Sequence, residues 1–210
     1  MKDPTLAYDI VSAIKQVIQK PLTVKIRTGW DENHKNAVAF AKMLEKAGAD
    51  AIAIHGRTRS KMYSGAVDLQ TIADVKAAVS IPVIGNGDVV DGPSAKNMLE
   101  KTKVDAIMLA RAVWGQPWIV KEVIDHLNGN PYYLSLQERF AITIEHALAL
   151  IDLKGEKTAI KEMRSHGTMA LKGYPHSHRV KEKIANASTF DEFASILDTY
   201  LQHLQQEGLA

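Results

Sequence analysis

The first two-thirds of the chain alternate regularly between two hydrophobic patterns. Short apolar runs rich in β-branched residues, typical of strands, are followed by longer stretches with helical periodicity. The predicted strands are 22–27, 51–55, 82–85 and 105–110. The predicted helices of this part are 5–19, 34–47, 68–79 and 93–101. Strands that are almost wholly apolar at this spacing predict a parallel sheet built from βαβ units.

Two architectures accept such units: a doubly wound open sheet and a (β/α)8 barrel. A whole barrel needs eight strands and about 250 residues, whereas only four units are visible here. After Pro131 the strand-like runs stop, and helices are predicted at 135–153, 156–172, 176–186 and 189–206. The linker 128–131 predicts a boundary between an α/β domain, 1–128, and an all-α domain, 131–210.

Composition excludes several kinds of site. The chain has no cysteine, so disulfides, thiolate metal sites and a thiol nucleophile are absent from it. Its net charge is only +2, so any nucleic-acid contact must use a local basic surface. No apolar run could span a bilayer, and Met1–Pro4 lacks the apolar core of a signal peptide. We expect a cytoplasmic protein without a metal or a membrane partner.

Polar residues follow each predicted strand. The strand ends read Lys25-Ile26-Arg27, His55-Gly56-Arg57-Thr58-Arg59, Gly85-Asn86-Gly87-Asp88 and Ala110-Arg111. Because parallel α/β folds gather their chemistry beyond the carboxyl ends of strands, we expect these groups to share one rim. The glycine turn and Arg111 together suit a phosphate, although the turn alone could be merely a tight turn.

Two of these strand-end residues, Lys25 and His55, each allow two interpretations. Lys25 could place a positive charge near the edge of a flavin ring where charge builds up on reduction, or could simply extend to solvent. His55 could approach a cofactor or could be a core histidine with satisfied hydrogen bonds.

A local excess of basic residues marks the helical part. The basic residues between 154 and 183 are Lys154, Lys157, Lys161, Arg164, Lys172, Arg179, Lys181 and Lys183, opposed by three glutamates. Such a run is often only a solvated helix surface. In a nearly neutral chain it also predicts a binding surface for an RNA backbone.

Several of these segments resemble one family in order and spacing. They are Met1–Pro4, Val24–Arg27, His55–Arg59, Met62–Gly65, Ile81–Asp88, Arg111, Gly115, Pro117, Trp118, Met163–Arg164 and Leu171–Gly173. The chain is identified as a member of the tRNA-dihydrouridine synthases, closest to the bacterial B-type branch. The resemblance implies the C-terminal half of a (β/α)8 TIM barrel followed by a helical tRNA-binding domain, in a chain truncated at its N-terminus.

The resemblance also implies an activity and a site. Members of this family use NADPH or NADH to reduce bound flavin mononucleotide (FMN), which then reduces uridine in tRNA to 5,6-dihydrouridine. By resemblance, the FMN-binding residues are Lys25, His55, Asn86, Gly87, Asp88, Ala110 and Arg111. The residues expected to contact tRNA are Arg27, Arg57, Arg59, Tyr63, Lys161, Arg164 and Lys172.

The sequence departs from the family pattern in two places. Ala110-Arg111-Ala112 stands where the family usually has Gly-Arg-Gly. The family's general acid is a cysteine, and this chain has none. We therefore expect no catalytic residue in this chain, no activity from it alone, and self-association through open barrel edges.

Three other interpretations stay open at this point. The first is a different FMN-dependent barrel oxidoreductase, and the second is a non-catalytic tRNA-binding fragment. The third is a barrel enzyme for phosphorylated sugars that uses no flavin.

Overall fold

The computed structural model describes residues 1–209 of the chain. Contacts divide the chain into two compact units, Met1–Ala110 and a second that begins at Arg111. Below they are called the sheet unit and the helical unit. The sequence placed the domain boundary later, at 128–131. That assignment of 1–128 and 131–210 to two domains stays a prediction.

The sheet unit alternates helices and strands. In chain order its elements are α1 (Pro4–Val17), β1 (Thr23–Arg27), α2 (Ala37–Lys46), β2 (Ala51–His55), α3 (Leu69–Ala78), β3 (Val83–Asn86), α4 (Gly92–Thr102) and β4 (Ala106–Met108). All three strand pairs are parallel, in the spatial order β1-β2-β3-β4. A doubly wound sheet would reverse its strand order part-way, and this sheet does not. The predicted four units of a (β/α)8 barrel are confirmed.

Local sequence signals explain where the helices of this unit begin. The Asp3 carboxylate accepts the backbone N–H of Leu6, and proline follows in the first turn of α1. A reciprocal capping box joins Asp91 and Ser94 at the start of α4. The predicted bounds differ from the observed ones by at most three residues at a helix end and two at a strand end.

The two faces of the sheet have different surroundings. A Cβ at Gly85 would lie 3.1 Å from the Met98 sulfur and 3.1 Å from Val104, so this position faces α4. Because side chains alternate along a strand, Asn86 faces the opposite side of the sheet, away from the helices. The register pairs Asn86 with His55 and His55 with Arg27, so all three side chains lie on that side.

The helical unit contains five α-helices in its described part. After a short 3-10 turn at Arg111–Val113 come α5 (Ile119–Leu127), α6 (Leu136–Lys154), α7 (Glu156–Ala170), α8 (Ser177–Asn186) and α9 (Phe190–Gln206). Its core is built mainly from α6, α7 and α9, with Phe140, Met163 and Phe193 almost fully buried. Gly167 lets α7 approach Phe193, since a Cβ there would lie 2.7 Å from the ring. Helix α5 was not predicted from the sequence.

No helix among the described residues is long and apolar enough to cross a bilayer. No group of three or more histidine, cysteine or acidic side chains within residues 1–209 is arranged to hold a metal ion.

Candidate functional site

Polar side chains form a row across the carboxyl end of the sheet. The register places Arg27 of β1 beside His55 of β2, His55 beside Asn86 of β3, and Asn86 beside Met108 of β4. This row is called the rim. It also includes Lys25, which lies two residues before Arg27 on the same face of β1. Of the residues expected to share one rim, Lys25, His55 and Asn86 lie together, and the place of Arg111 there stays a prediction.

Lys25 is fixed by a contact that spans two strands. Its Nζ donates to Oδ1 of Asn86 at 3.0 Å, and Nδ2 of Asn86 donates to the Met108 carbonyl at 2.8 Å. These two bonds settle which way the Asn86 amide points. Partial burial and the nearby Arg27 charge lower the pKa of Lys25. Lys25 has no ion pair with any described residue, so its positive charge is uncompensated on the rim.

His55 is buried but not satisfied. The residue is 6% exposed, and neither ring nitrogen has a hydrogen-bond partner among the described residues. Burial, followed by the charges of Arg27, Lys25 and Arg57, lowers the pKa of His55 to about 4. The ring is therefore neutral at pH 7 and offers one donor and one acceptor. His55 is therefore not the core histidine with satisfied hydrogen bonds that the sequence left as the alternative.

The turn after β3 needs its glycine. Gly87 has φ 131°, and a Cβ there would lie 2.8 Å from Val67 and 3.1 Å from the His55 ring. Asp88 follows in a left-handed conformation with φ 51°, which aspartate tolerates better than most residues. The backbone therefore turns sharply next to His55, and only glycine allows that approach.

The Arg57 side chain is buried and forms its hydrogen bonds with other residues of the protein. It is 4% exposed, and its Nε donates to the carbonyls of Ser64 and Gly65 at 3.2 and 3.0 Å. Its Nη1 donates to Oδ1 of Asp88 at 2.9 Å, and Nη2 donates to the other carboxylate oxygen. The guanidinium thus ties the loop after β2 (residues 56–68) to the turn after β3. These contacts give Arg57 a structural role, and its tRNA contact stays a prediction.

Arg27 holds the same loop from the neighbouring strand. Its Nη1 donates to the carbonyls of Thr58 and Met62 at 3.0 and 3.1 Å. Met62 and Tyr63 form the tip of the loop and are 57% and 56% exposed. The two arginines therefore present an exposed aromatic side chain at the carboxyl end of the sheet.

Arg59 lies beside an aromatic ring. Its guanidinium carbon is 5.1 Å from the ring centroid of Trp30, and the Lys2 ammonium is 3.9 Å from it. These residues line a pocket of about 680 Å³ together with Lys25 and Arg27. The pocket is therefore strongly basic, and a tRNA contact of Arg59 stays a prediction.

The last two predicted FMN-binding residues lie at the junction of the two units. Ala110 is exposed two residues after β4 and ends the sheet unit, while Arg111 begins the helical unit in its 3-10 turn. Their part in a phosphate site stays a prediction.

The basic surface of the helical unit is not uniform. Lys161 and Lys172 are exposed and have no ion pair within the described residues, and their contact with tRNA stays a prediction. Arg164 is half-buried, and its Nε donates to the Ala187 carbonyl at the end of α8 at 2.8 Å. Lys154 is already paired with Glu162 at 2.8 Å. We call Lys157, Lys161 and Lys172 the basic surface.

A second set of polar residues near the carboxyl ends of the strands was not predicted from the sequence. Thr28, Asn36 and Lys42 line a pocket beside the start of α2. The available signal was Asn36 immediately before a helix, which ordinarily indicates only a capping residue.

Comparison with known proteins places the chain in a family. The profile of the dihydrouridine synthases matches residues 1–207. The chain belongs to the dihydrouridine synthase family. It is 34% identical over 210 residues to a tRNA-dihydrouridine synthase B of Pseudomonas aeruginosa, covering 99% of this chain and 63% of that protein.

Other members of the family are similarly related. A tRNA-dihydrouridine synthase B of Vibrio parahaemolyticus is 42% identical over 171 residues, or 80% of this chain and 53% of that protein. For that of Shewanella oneidensis the identity is 40% over 168 residues, with 79% and 52% covered. The chain thus spans between about half and 63% of the length of these three relatives.

Proposed function

We propose that this chain takes part in the FMN-dependent reduction of uridine in tRNA to 5,6-dihydrouridine, with NADPH or NADH as the reductant. Membership of the dihydrouridine synthase family and relatives named tRNA-dihydrouridine synthase B support the reaction class. The observation that carries the flavin assignment is the Lys25–Asn86 contact of 3.0 Å on the rim beside His55.

The residues present fit a flavin in three respects. Lys25 is a cation without a carboxylate partner among the described residues, and it suits the ring edge that gains negative charge on reduction. The unpaired ring nitrogens of His55 can bond to a polar ring edge. The tight turn at Gly87 and Asp88 provides backbone close to an approaching anion. When bound, FMN supplies hydride transfer.

The proposed binding set is that expected from the family: Lys25, His55, Asn86, Gly87, Asp88, Ala110 and Arg111. In this set Lys25 holds positive charge at the ring and Asn86 holds Lys25 in place. Arg27 and Arg57 fix the loop that carries Tyr63. A cytoplasmic location is proposed with this function.

Binding of FMN tests the flavin assignment. We expect Lys25→Met to weaken FMN affinity about tenfold or more in equilibrium dialysis, because it removes a charge-assisted contact of about 1.5–3 kcal/mol. Lys20→Met is the matched control, since Lys20 is exposed and precedes β1 at the opposite end of the sheet. Equal affinities for the two variants would refute a flavin site on the rim.

We further predict that the purified 210-residue chain does not form dihydrouridine. Its sheet supplies four of the eight strands of a barrel, and it has no cysteine to act as general acid. A positioned acid typically contributes 10²–10⁴-fold. The measurement is dihydrouridine content of unmodified tRNA after incubation with FMN and NADPH. Formation at a rate normal for the family would contradict this prediction.

Self-association is proposed from the edges of the sheet. Strands β1 and β4 each pair on one side only, and α1 exposes Leu6, Ile10 and Val17 at 55%, 50% and 79%. Unpaired edges and apolar patches promote association. Light scattering during size-exclusion chromatography should give a mass above 23.1 kDa. A monomer at all concentrations would refute it.

A further inference from the structure

A second pocket lies beside the carboxyl ends of the strands of the sheet, outside the rim. It measures about 440 Å³ and is called the α2 pocket. Its lining residues include Thr28, Asn36, Val38, Ala39, Lys42 and Asp74. Thr28 directly follows the rim residue Arg27, so the pocket opens at the end of the sheet where the rim lies.

The first turn of α2 has unused donors. The N–H of Ala37 donates to the Thr28 carbonyl at 3.2 Å, but the N–H groups of Val38 and Ala39 have no acceptor among residues 1–209. Asn36 occupies the capping position, yet its side chain makes no capping bond. Free N–H groups at a helix start carry partial positive charge and favour an anion.

Two polar side-chain atoms in the pocket point independently to a ligand. Thr28 is 0% exposed, and its Oγ1 has no hydrogen-bond partner in the described structure. Oδ1 of Asn36 is also buried without a partner, while Nδ2 donates to the Met1 carbonyl at 3.0 Å. That bond settles which amide atom is the oxygen, so Oδ1 is an acceptor that needs a donor, on a residue that lines the pocket. Buried polar atoms are rarely left unsatisfied.

The charges around the pocket favour an anion. Lys42 is exposed and has no ion pair in the described part of the chain. Lys35 is paired with Asp68 at 3.1 Å and with Glu32 at 3.3 Å. The one carboxylate among the lining residues, Asp74, accepts a bond from Gln70 at 2.7 Å. Lys42 is therefore the cation available to a ligand.

We propose that the α2 pocket binds one phosphate of an RNA backbone together with a neighbouring ribose hydroxyl. The phosphate oxygens accept from Val38, Ala39 and Lys42, and the 2′-hydroxyl donates to Asn36. Thr28 completes the contacts as donor or acceptor. A ligand with both anionic oxygens and a hydroxyl donor satisfies every unused group, and RNA carries both along its backbone. The proposal rests on the proposed function in that RNA is the partner.

Inorganic phosphate is the first probe, because its binding does not depend on tRNA recognition. In ¹H–¹⁵N NMR of the full chain, phosphate should shift the amide signals of Val38 and Ala39. Lys42→Gln and Thr28→Val should reduce that response, whereas Lys46→Gln should not. Lys46 is the matched control, an exposed lysine at the other end of α2. Unshifted amides would overturn the site.

Thr28→Val also separates binding from folding. The variant keeps the shape of the side chain and removes a hydroxyl that has no partner, so the melting temperature should stay the same or rise. Weaker binding by a variant that is at least as stable supports the site. A clear loss of stability would show that the hydroxyl serves the fold, and would overturn its role in binding.

A pair of oligonucleotides of identical sequence tests the source of the phosphate. A single-stranded oligoribonucleotide should bind more tightly than the oligodeoxyribonucleotide, and Lys42→Gln should weaken RNA binding about fivefold, the effect of one exposed ion pair. Phosphate binding without any effect of Lys42→Gln on RNA affinity would overturn the RNA assignment. RNA binding that depends on Lys161 but not on Lys42 would leave the proposed function intact and refute this pocket.

Discussion

The rim and the basic surface of the helical unit both carry positive charge, but they hold it differently. On the rim, Lys25 is bonded to Asn86 at 3.0 Å, and beside the rim Arg57, in the loop after β2, is buried against Asp88. On the basic surface, Lys161 and Lys172 are exposed and have no ion pair with a described residue. The first arrangement fixes charges at defined positions, and the second leaves long side chains free to follow a polyanion.

This difference suits two kinds of ligand. A flavin ring needs donors at fixed positions, because orientation decides whether hydride transfer can occur. An RNA backbone presents regularly repeated phosphates, and flexible lysines can neutralise them without reading sequence. The proposed flavin site therefore lies where charge is fixed by hydrogen bonds, and the proposed RNA contacts lie where lysines are exposed and unpaired among the described residues.

Substitutions of hydrogen-bonded cations beside the rim and of exposed lysines on the basic surface should differ most in their effect on the free energy of unfolding. Arg57→Met removes five donor contacts and leaves the carbonyls of Ser64 and Gly65 and the Asp88 carboxylate without them. We expect a loss of about 2–4 kcal/mol in the free energy of unfolding, measured in urea. Lys161→Met on the basic surface should change it by less than about 0.5 kcal/mol. Similar losses in both variants would break the distinction between fixed and mobile charge.

The rim should also respond to pH through His55. The folded pKa is about 4 and the ordinary value is 6.5, so the folded chain binds fewer protons between these values. Acidification from pH 6.5 to 4 should therefore lower the free energy of unfolding by about 2–3 kcal/mol, with no contribution from His55 above pH 6.5. The wild type and His55→Gln, compared in urea, isolate this term. An NMR titration that places His55 near 6.5 would contradict the burial argument.

Each single substitution on the basic surface should have only a small effect, which is measured as tRNA affinity. Lys161→Gln and Lys172→Gln should each weaken tRNA binding a few-fold and reduce the slope of log affinity against log salt by about one. Asp152→Asn is a control on an exposed acidic residue of the same unit and should not weaken binding. An unchanged affinity and salt slope in both lysine variants would show that this surface is only solvated.

The sequence predicted the arrangement of the fold because that depends on periodicity and turn residues. All four strands and their parallel pairing follow from apolar runs separated by helical patterns. Helix α5 was missed because it is only nine residues long and lacks a side-chain cap, so neither length nor an N-cap residue marked it.

The site could be predicted only in part. Residue type and position at a strand end placed Lys25, His55 and Asn86 together, as the register shows. Sequence could not show which way an arginine points, because one guanidinium can bind an external phosphate or internal carbonyls equally well. The structure alone separates Arg57 and Arg164, which bond within the protein, from Lys161 and Lys172.

The most direct test of the central claim is the location of flavin binding. In ¹H–¹⁵N NMR of the chain titrated with FMN, the amide signals of Gly87, Asp88 and Ala110 and the ring signals of His55 should shift. Riboflavin, which lacks the phosphate, should shift the His55 ring but leave the Ala110 amide largely unchanged. Shifts confined to the helical unit, or none at saturating FMN, would contradict a flavin site on the rim.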